Sequence, residues 1–362
     1  MKGLNNPIGI KSLEPSQSPF IMNPYRFAGG GAVGGWVELG RTTLGSAEDD
    51  ITVTSLADKR YYMVLCDIQQ VTSNIRSATR LNADTDSNYA TRDSENGGAD
   101  STAPSGSYIK NSGSLTTPMF NVQYLSNLST KEKLMLSHNV GQNTAGAGNA
   151  PVRMEAVGKW ANTSNAISTI AQYNDQGGSY NTNSEVVVLG WDPDDTHTTN
   201  FWEELASVNL SGGAADLIDS GTFTAKKYLW AQLYVSTTGG AVSQRLTFNS
   251  DTGSNYAQRR SADGGSDATG TSGVNIDAFN DDLVTSSAGF TNFFIINNSA
   301  NEKLGIVHAI SQEAAGAGTA PTRDEGVLKW ANTSSQITRL TFTNNKAGDM
   351  GTNTTLKVWG SD

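Results

Sequence analysis

Residues Ala145 to Ile170 read AGAGNAPVRMEAVGKWANTSNAISTI, and residues Ala315 to Leu340 read AGAGTAPTRDEGVLKWANTSSQITRL. The two align without a gap at a constant offset of 315 − 145 = 170. A match of this length within one chain marks a duplicated structural unit. It extends upstream: LNADTDSNYATR (Leu81 to Arg92) returns as FNSDTGSNYAQR (Phe248 to Arg259), Lys59-Arg60-Tyr61 as Lys226-Lys227-Tyr228, and Trp36 as Trp202. His138 returns as His308. Two collinear domains follow, 35–193 and 200–362, joined by a short linker, 194–199, next to the stiffening Pro193.

Between the repeated blocks the chain alternates short apolar runs with turns rich in Gly, Asn, Asp and Ser. Tyr61 to Ile68 (YYMVLCDI) is a near-continuous apolar run that suits a buried strand, and MFNVQYL, KLMLSHNV and EVVVLG read the same way. Residues 82–118 are polar and loop-dominated, with one short strand around Tyr108, and the loops 93–118 and 260–277 are expected to face outward. With no amphipathic helix of useful length, the pattern is that of an all-β chain: two tandem, jelly-roll-like β-sandwiches.

Residues 1–34 differ from the rest. Pro7, Pro15, Pro19 and Pro24 exclude helix and central strand, and Gly29-Gly30-Gly31 with Gly34-Gly35 makes a hinge. Phe20, Ile21, Met22, Tyr25 and Phe27 lie between them, more apolar surface than a solvated tail needs. The segment reads as an extended arm that anchors the domains on a neighbouring subunit or a host structure.

Composition narrows the partners. The 362 residues carry 25 basic and 35 acidic side chains, net charge −10, which argues against a nucleic-acid partner because that binding rests on neutralising phosphates. Cys66 is the one cysteine, so no disulfide forms within the chain. No apolar run approaches the ~18 residues of a membrane helix, and the N-terminal stretch lacks the apolar core of a signal peptide.

The duplication also sorts the site residues. Trp36/Trp202, Trp160/Trp330, Tyr89/Tyr256 and His138/His308 recur in both copies and are expected in the core of the repeat. Trp191, Trp230 and Trp359 have no tryptophan counterpart and are the candidates for contact with a glycan or a protein partner. Arg153, Glu155 and Lys159, with Arg323, Glu325 and Lys329, share a strand face and are expected as surface ion pairs. With His197 the remaining histidine and no thiol cluster, neither a metal nor a cofactor is expected. No paired carboxylates or flanked nucleophile suggest catalysis.

FNSDTGSNYAQR, KWANTSNAIST with its closing EVVVLGWD, and KWANTSSQITRL with its closing LKVWG resemble a β-rich domain of tailed-bacteriophage virion structural proteins. The resemblance covers both repeats and rests on turn and strand motifs. It implies a non-enzymatic component of the virion, a tail fibre, surface appendage or capsid decoration. Its expected partners are other virion proteins and further copies of itself, a trimer first. Two alternatives stay open: a tail-fibre module that reads host surface glycans, and a tandem jelly-roll capsid protein.

Overall fold

The computed structural model describes residues 35–69, 73–195, 199–277, 283–284 and 286–362; the arm, with Phe20, Ile21, Met22, Tyr25 and Phe27, lies outside them. The described chain is all-β. Domain one comprises β1 (Val37–Thr43), β2 (Asp50–Val53), β3 (Tyr61–Ile68), β4 (Ala78–Leu81), β5 (Tyr89–Glu95), β6 (Ser101–Gly106), β7 (Ile109–Lys110), β8 (Met119–Ser126), β9 (Lys133–Gly141), β10 (Val152–Trp160), β11 (Ile170–Tyr173) and β12 (Glu185–Trp191). They form an eight-stranded sheet, β1-β12-β3-β8-β9-β10-β5-β6, and a four-stranded sheet, β2-β11-β4-β7.

Domain two repeats this with β13 (Glu203–Asn209), β14 (Leu217–Asp219), β15 (Tyr228–Thr238), β16 (Gln244–Phe248), β17 (Tyr256–Ala262), β18 (Ala268–Gly273), β19 (Ile276–Asp277), β20 (Ala288–Ile296), β21 (Lys303–Ser311), β22 (Thr322–Trp330), β23 (Leu340–Asn344), β24 (Asp349–Met350) and β25 (Thr355–Ser361). The orders are β13-β25-β15-β20-β21-β22-β17-β18 and β14-β23-β16-β19, and the short β24 adds to β15. Every pairing is antiparallel, and even the irregularities repeat. The register shifts between Glu38 and Gly40 and again between Glu204 and Ala206. It shifts between Tyr89 and Thr91 and again between Tyr256 and Gln258. The stretches expected as loops are therefore partly ordered: β5 pairs β6, and β17 pairs β18, as hairpins at the sheet edge.

The repeated NYA motif explains how each sandwich closes. Asn82 and Ala83, and likewise Asn249 and Ser250, adopt positive φ between 51° and 57°. The Asp84 amide donates to the Leu81 carbonyl at 3.0 Å and the Asp251 amide to that of Phe248 at 2.9 Å, so both loops open on tight turns that carry the chain from the small sheet, β4 or β16, to the large one, β5 or β17. Each aspartate then accepts the indole N–H of the distant tryptophan, Trp160 to Asp84 and Trp330 to Asp251, both at 2.7 Å. Tyr89 and Tyr256 stack on those indoles and donate or accept at the turn backbone through their hydroxyls. Turn, tyrosine and tryptophan form one tie between the sheets in both copies.

Three apolar layers result. One lies between the sheets of domain one and contains Tyr62, Val64, Cys66, Tyr89 and Trp160. Its equivalent in domain two contains Leu229, Leu233, Tyr256 and Trp330. The third joins the domains: Met63, Leu65, Phe120, Val122, Val187 and Leu189 of domain one pack on Trp202, Tyr228, Trp230, Phe294, Ile306 and Trp359 of domain two. On β3, Tyr62, Val64 and Cys66 point into the sandwich while Met63 and Leu65 point out of it. Both faces of this strand are covered, which accounts for its unbroken apolar run.

Polar contacts surround that third layer. Lys227 lies 3.0 Å from both Asp67 and Glu185, and Tyr228 donates to Glu185 at 2.8 Å. The Gly146 amide and the Gln142 side chain donate to Glu302, at 2.5 and 2.7 Å. Lys329, fully buried, donates to the carbonyls of Gln142 and Thr144, and Arg153 grips Asp267 at 2.6 Å. Arg153 and Lys329 thus correct the expectation of a solvated charge ladder, because the face they share is covered by the other domain. Lys159 keeps a surface pair with Glu132 at 3.0 Å.

Two measurements test this account. Trp230→Ala should destabilise the protein by about 3–5 kcal/mol in denaturant unfolding, since it empties the centre of the joining layer; a loss below about 1 kcal/mol would contradict that layer. Burial pushes the Asp84 and Asp251 carboxyls up, but the hydrogen bonds from Trp160 and Asn88, and from Trp330 and Asn255, outweigh it and hold both below the usual aspartate range. A depressed folded value contributes stability above the ordinary aspartate pKa that is lost as pH falls through the folded value. The advantage of the native protein over an Asp84→Asn/Asp251→Asn variant should therefore be full at pH 6 and shrink below about pH 4, followed by thermal melts; an advantage independent of pH would refute it.

Candidate functional site

The outer face of the large sheet in domain one is only partly covered by domain two. On β9, alternation places Leu134, Leu136, His138 and Val140 on this face. Val140 and the β3 and β8 residues lie in the joining layer, but Leu134 is 58% exposed, Leu136 52% and Val157 of β10 45%. Their counterparts in domain two, Leu304, Ile306 and Val327, are 2%, 3% and 1% exposed. The two sheets therefore meet off-centre: the patch on domain two is closed by domain one, and the same patch on domain one is left open.

The open patch is a groove of about 930 Å³. Leu134, Leu136 and Val157 form its floor with Tyr124 of β8, and Tyr61, Trp191 and Trp36 form one wall. Tyr61 and Trp191 face each other across paired strands, β3 and β12, and their rings stack at 5.4 Å with an interplanar angle of 19°. Arg92 and Lys159 supply the charge at the rim, each paired with a carboxylate, Asp100 at 3.1 Å and Glu132 at 3.0 Å. Among the described residues, no carboxylate, histidine or cysteine lines the groove. Its chemistry suits an aromatic or aliphatic segment, or the face of a sugar ring, rather than acid–base work.

The placement of the anticipated residues is mixed. Trp160, Trp330, Tyr89 and Tyr256 lie in the sandwich cores. Trp202 is fully buried, but between the domains rather than inside its own repeat, and its counterpart Trp36 is half-buried at the groove. Trp230 and Trp359 are not open to a glycan. They lie buried with ring centroids 5.1 Å apart, and Trp202 and Phe294 pack on Trp230. The partner surface they meet is domain one. His138 and His308 are likewise corrected from repeat core to the boundary between domains, where their rings touch. Of the three unmatched tryptophans, Trp191 alone lines the groove. Cys66 is buried and its thiol is pushed well up by burial, so it is no nucleophile.

Leu134, Leu136, Val157 and Tyr61 were not singled out in the sequence as site residues. Their signal is weak but present: Leu134 and Leu136 alternate on the face opposite Met135, so one of the two apolar faces of β9 must find cover outside its own sandwich.

No protein-family model and no curated protein matches this sequence. Among solved structures, the chain is similar to domains LG4-5 of the mouse laminin alpha1 chain, at 10% identity and a TM-score of 0.20 over 90% of this chain and 89% of that one. It is also similar to the LG1-3 region of the laminin alpha2 chain, at 8% identity and a TM-score of 0.19 over 86% and 64%. At such scores the architecture rests on the strand pairings themselves.

Proposed function

We propose that this protein is a non-enzymatic structural subunit of a tailed-phage virion surface, assembled through its domain-one groove. The carrying observation is that Leu134, Leu136 and Val157 are open where their domain-two counterparts are sealed. The occupant is the arm of a neighbouring copy. Its residues Phe20, Ile21, Met22, Tyr25 and Phe27 match the groove in apolar character. Phe27 stands nine residues before Trp36, itself part of the groove wall, so the arm spans at most ~30 Å from one groove to the next. Burying two or three of these side chains contributes about 1.5–3 kcal/mol each. The virion setting is supported by the resemblance of the repeated turn and strand motifs, and a trimer is the expected assembly.

Mass photometry of the full chain beside a variant lacking residues 1–28 and a Leu136→Asp/Val157→Asp variant tests this. Exposed substitutions of this kind alter stability by only about 0.5 kcal/mol, so circular dichroism should not change. Oligomers are expected for the full chain and monomers for both variants. A monomeric full chain, or oligomers that survive both changes, would sink the reading.

The stacked Tyr61–Trp191 pair favours a second use of the same groove, as a platform for the apolar face of a host glycan. Binding to a host polysaccharide that Trp191→Ala abolishes, measured on a glycan array, would support it; binding that the variant retains would place any glycan site elsewhere.

A further inference from the structure

Where the two sandwiches meet, equivalent residues of the two repeats converge. His138, Arg153 and Glu155 of domain one stand with His308, Arg323 and Glu325 of domain two, each pair at the offset of 170. On paired strands His138 lies opposite Glu155, and His308 lies opposite Glu325. The two imidazoles meet edge to face with ring centroids 4.3 Å apart. One ligand-capable atom from each of His138, Glu155 and His308 lies within 4.8 Å of the other two. Nδ1 of His138 is buried and has no hydrogen-bond partner.

We propose that this cluster is a divalent transition-metal site of the zinc class, with His138, His308 and Glu155 as ligands, that ties the two domains together. The donor set is right for such an ion: two imidazoles and one carboxylate leave the remaining position for water or for Glu325, which stands beside Glu155. Ligand bonds of ~2.0–2.2 Å put donor atoms roughly 3.4 Å apart, so rotations that move each donor by about 1 Å close the set. Arg153 holds one oxygen of Glu155 at 2.6 Å and reaches Glu325 at 3.7 Å. It fixes the carboxylate and opposes the cation, so the site binds more weakly than an all-histidine one. Because the ligands come from both sandwiches, an ion there would lock the offset packing that leaves the groove open.

The test is calorimetric titration of the chelator-treated full chain with zinc chloride. One equivalent should bind and raise the melting temperature. His138→Ala and His308→Ala should each weaken binding at least about tenfold, a loss that changes outside the ligand shell already cause at metal sites. Glu155→Gln, which keeps the packing volume, should weaken it as well, and His197→Ala should leave it unchanged. Absence of one-to-one uptake, or uptake unaltered in a folded His138→Ala/His308→Ala double variant, would overturn the assignment.

Discussion

The off-centre packing of one large sheet on the other is the constraint on which the rest of this structure depends. A sandwich normally needs one apolar face per sheet, yet the large sheets here are apolar on both. Met63, Leu65, Val187 and Leu189 have no place inside domain one, and Tyr228, Trp230, Phe294 and Trp359 have none inside domain two. Burying these faces against each other joins the two domains through one shared apolar layer. The charges at the margin follow from that burial. Lys227 would be costly to bury alone, and Asp67 and Glu185 from the other domain compensate it; removing one partner from such a pair costs about 3–5 kcal/mol.

Duplication supplied two copies of every motif, and packing gave them different work. The AGAG loop of domain one is captured by domain two, where the Gly146 amide donates to Glu302. In domain two the same letters stay at the surface: Gly316 and Ala317 are exposed, whereas Ala147 is buried. Lys329 is buried in carbonyl contacts from domain one, while its counterpart Lys159 pairs with Glu132 in solvent. Leu134 and Leu304 diverge in the same way. The surface that closes domain two leaves its equivalent on domain one free, and this asymmetry produces the groove.

The groove and the histidine cluster are thus two consequences of one offset. At its centre the counterparts His138 and His308 touch, as do Tyr124 and Phe294 with ring centroids 6.4 Å apart. Away from that centre the faces no longer coincide, and Leu134, Leu136, Val157, Tyr61 and Trp191 remain uncovered. The chain thus carries one apolar contact between its own domains and leaves a second apolar surface open on domain one.

By itself the sequence determined the β class, the duplication and which aromatics fill the core of each sandwich. These depend on local rules: alternation along a strand, turns rich in Gly, Asn, Asp and Ser, and recurrence of Trp160 as Trp330 and of Tyr89 as Tyr256. Only the tertiary structure decided which outward faces are covered. Trp191, Trp230 and Trp359 are chemically alike, yet one lines the groove and two are sealed between sheets. The charge ladder of Arg153 and Lys329 looked like a surface feature for the same reason. Period-two alternation tells which residues share a face, but whether that face meets water or another sheet depends on residues about 170 positions away, and no local pattern encodes how two rigid sandwiches come to rest on each other.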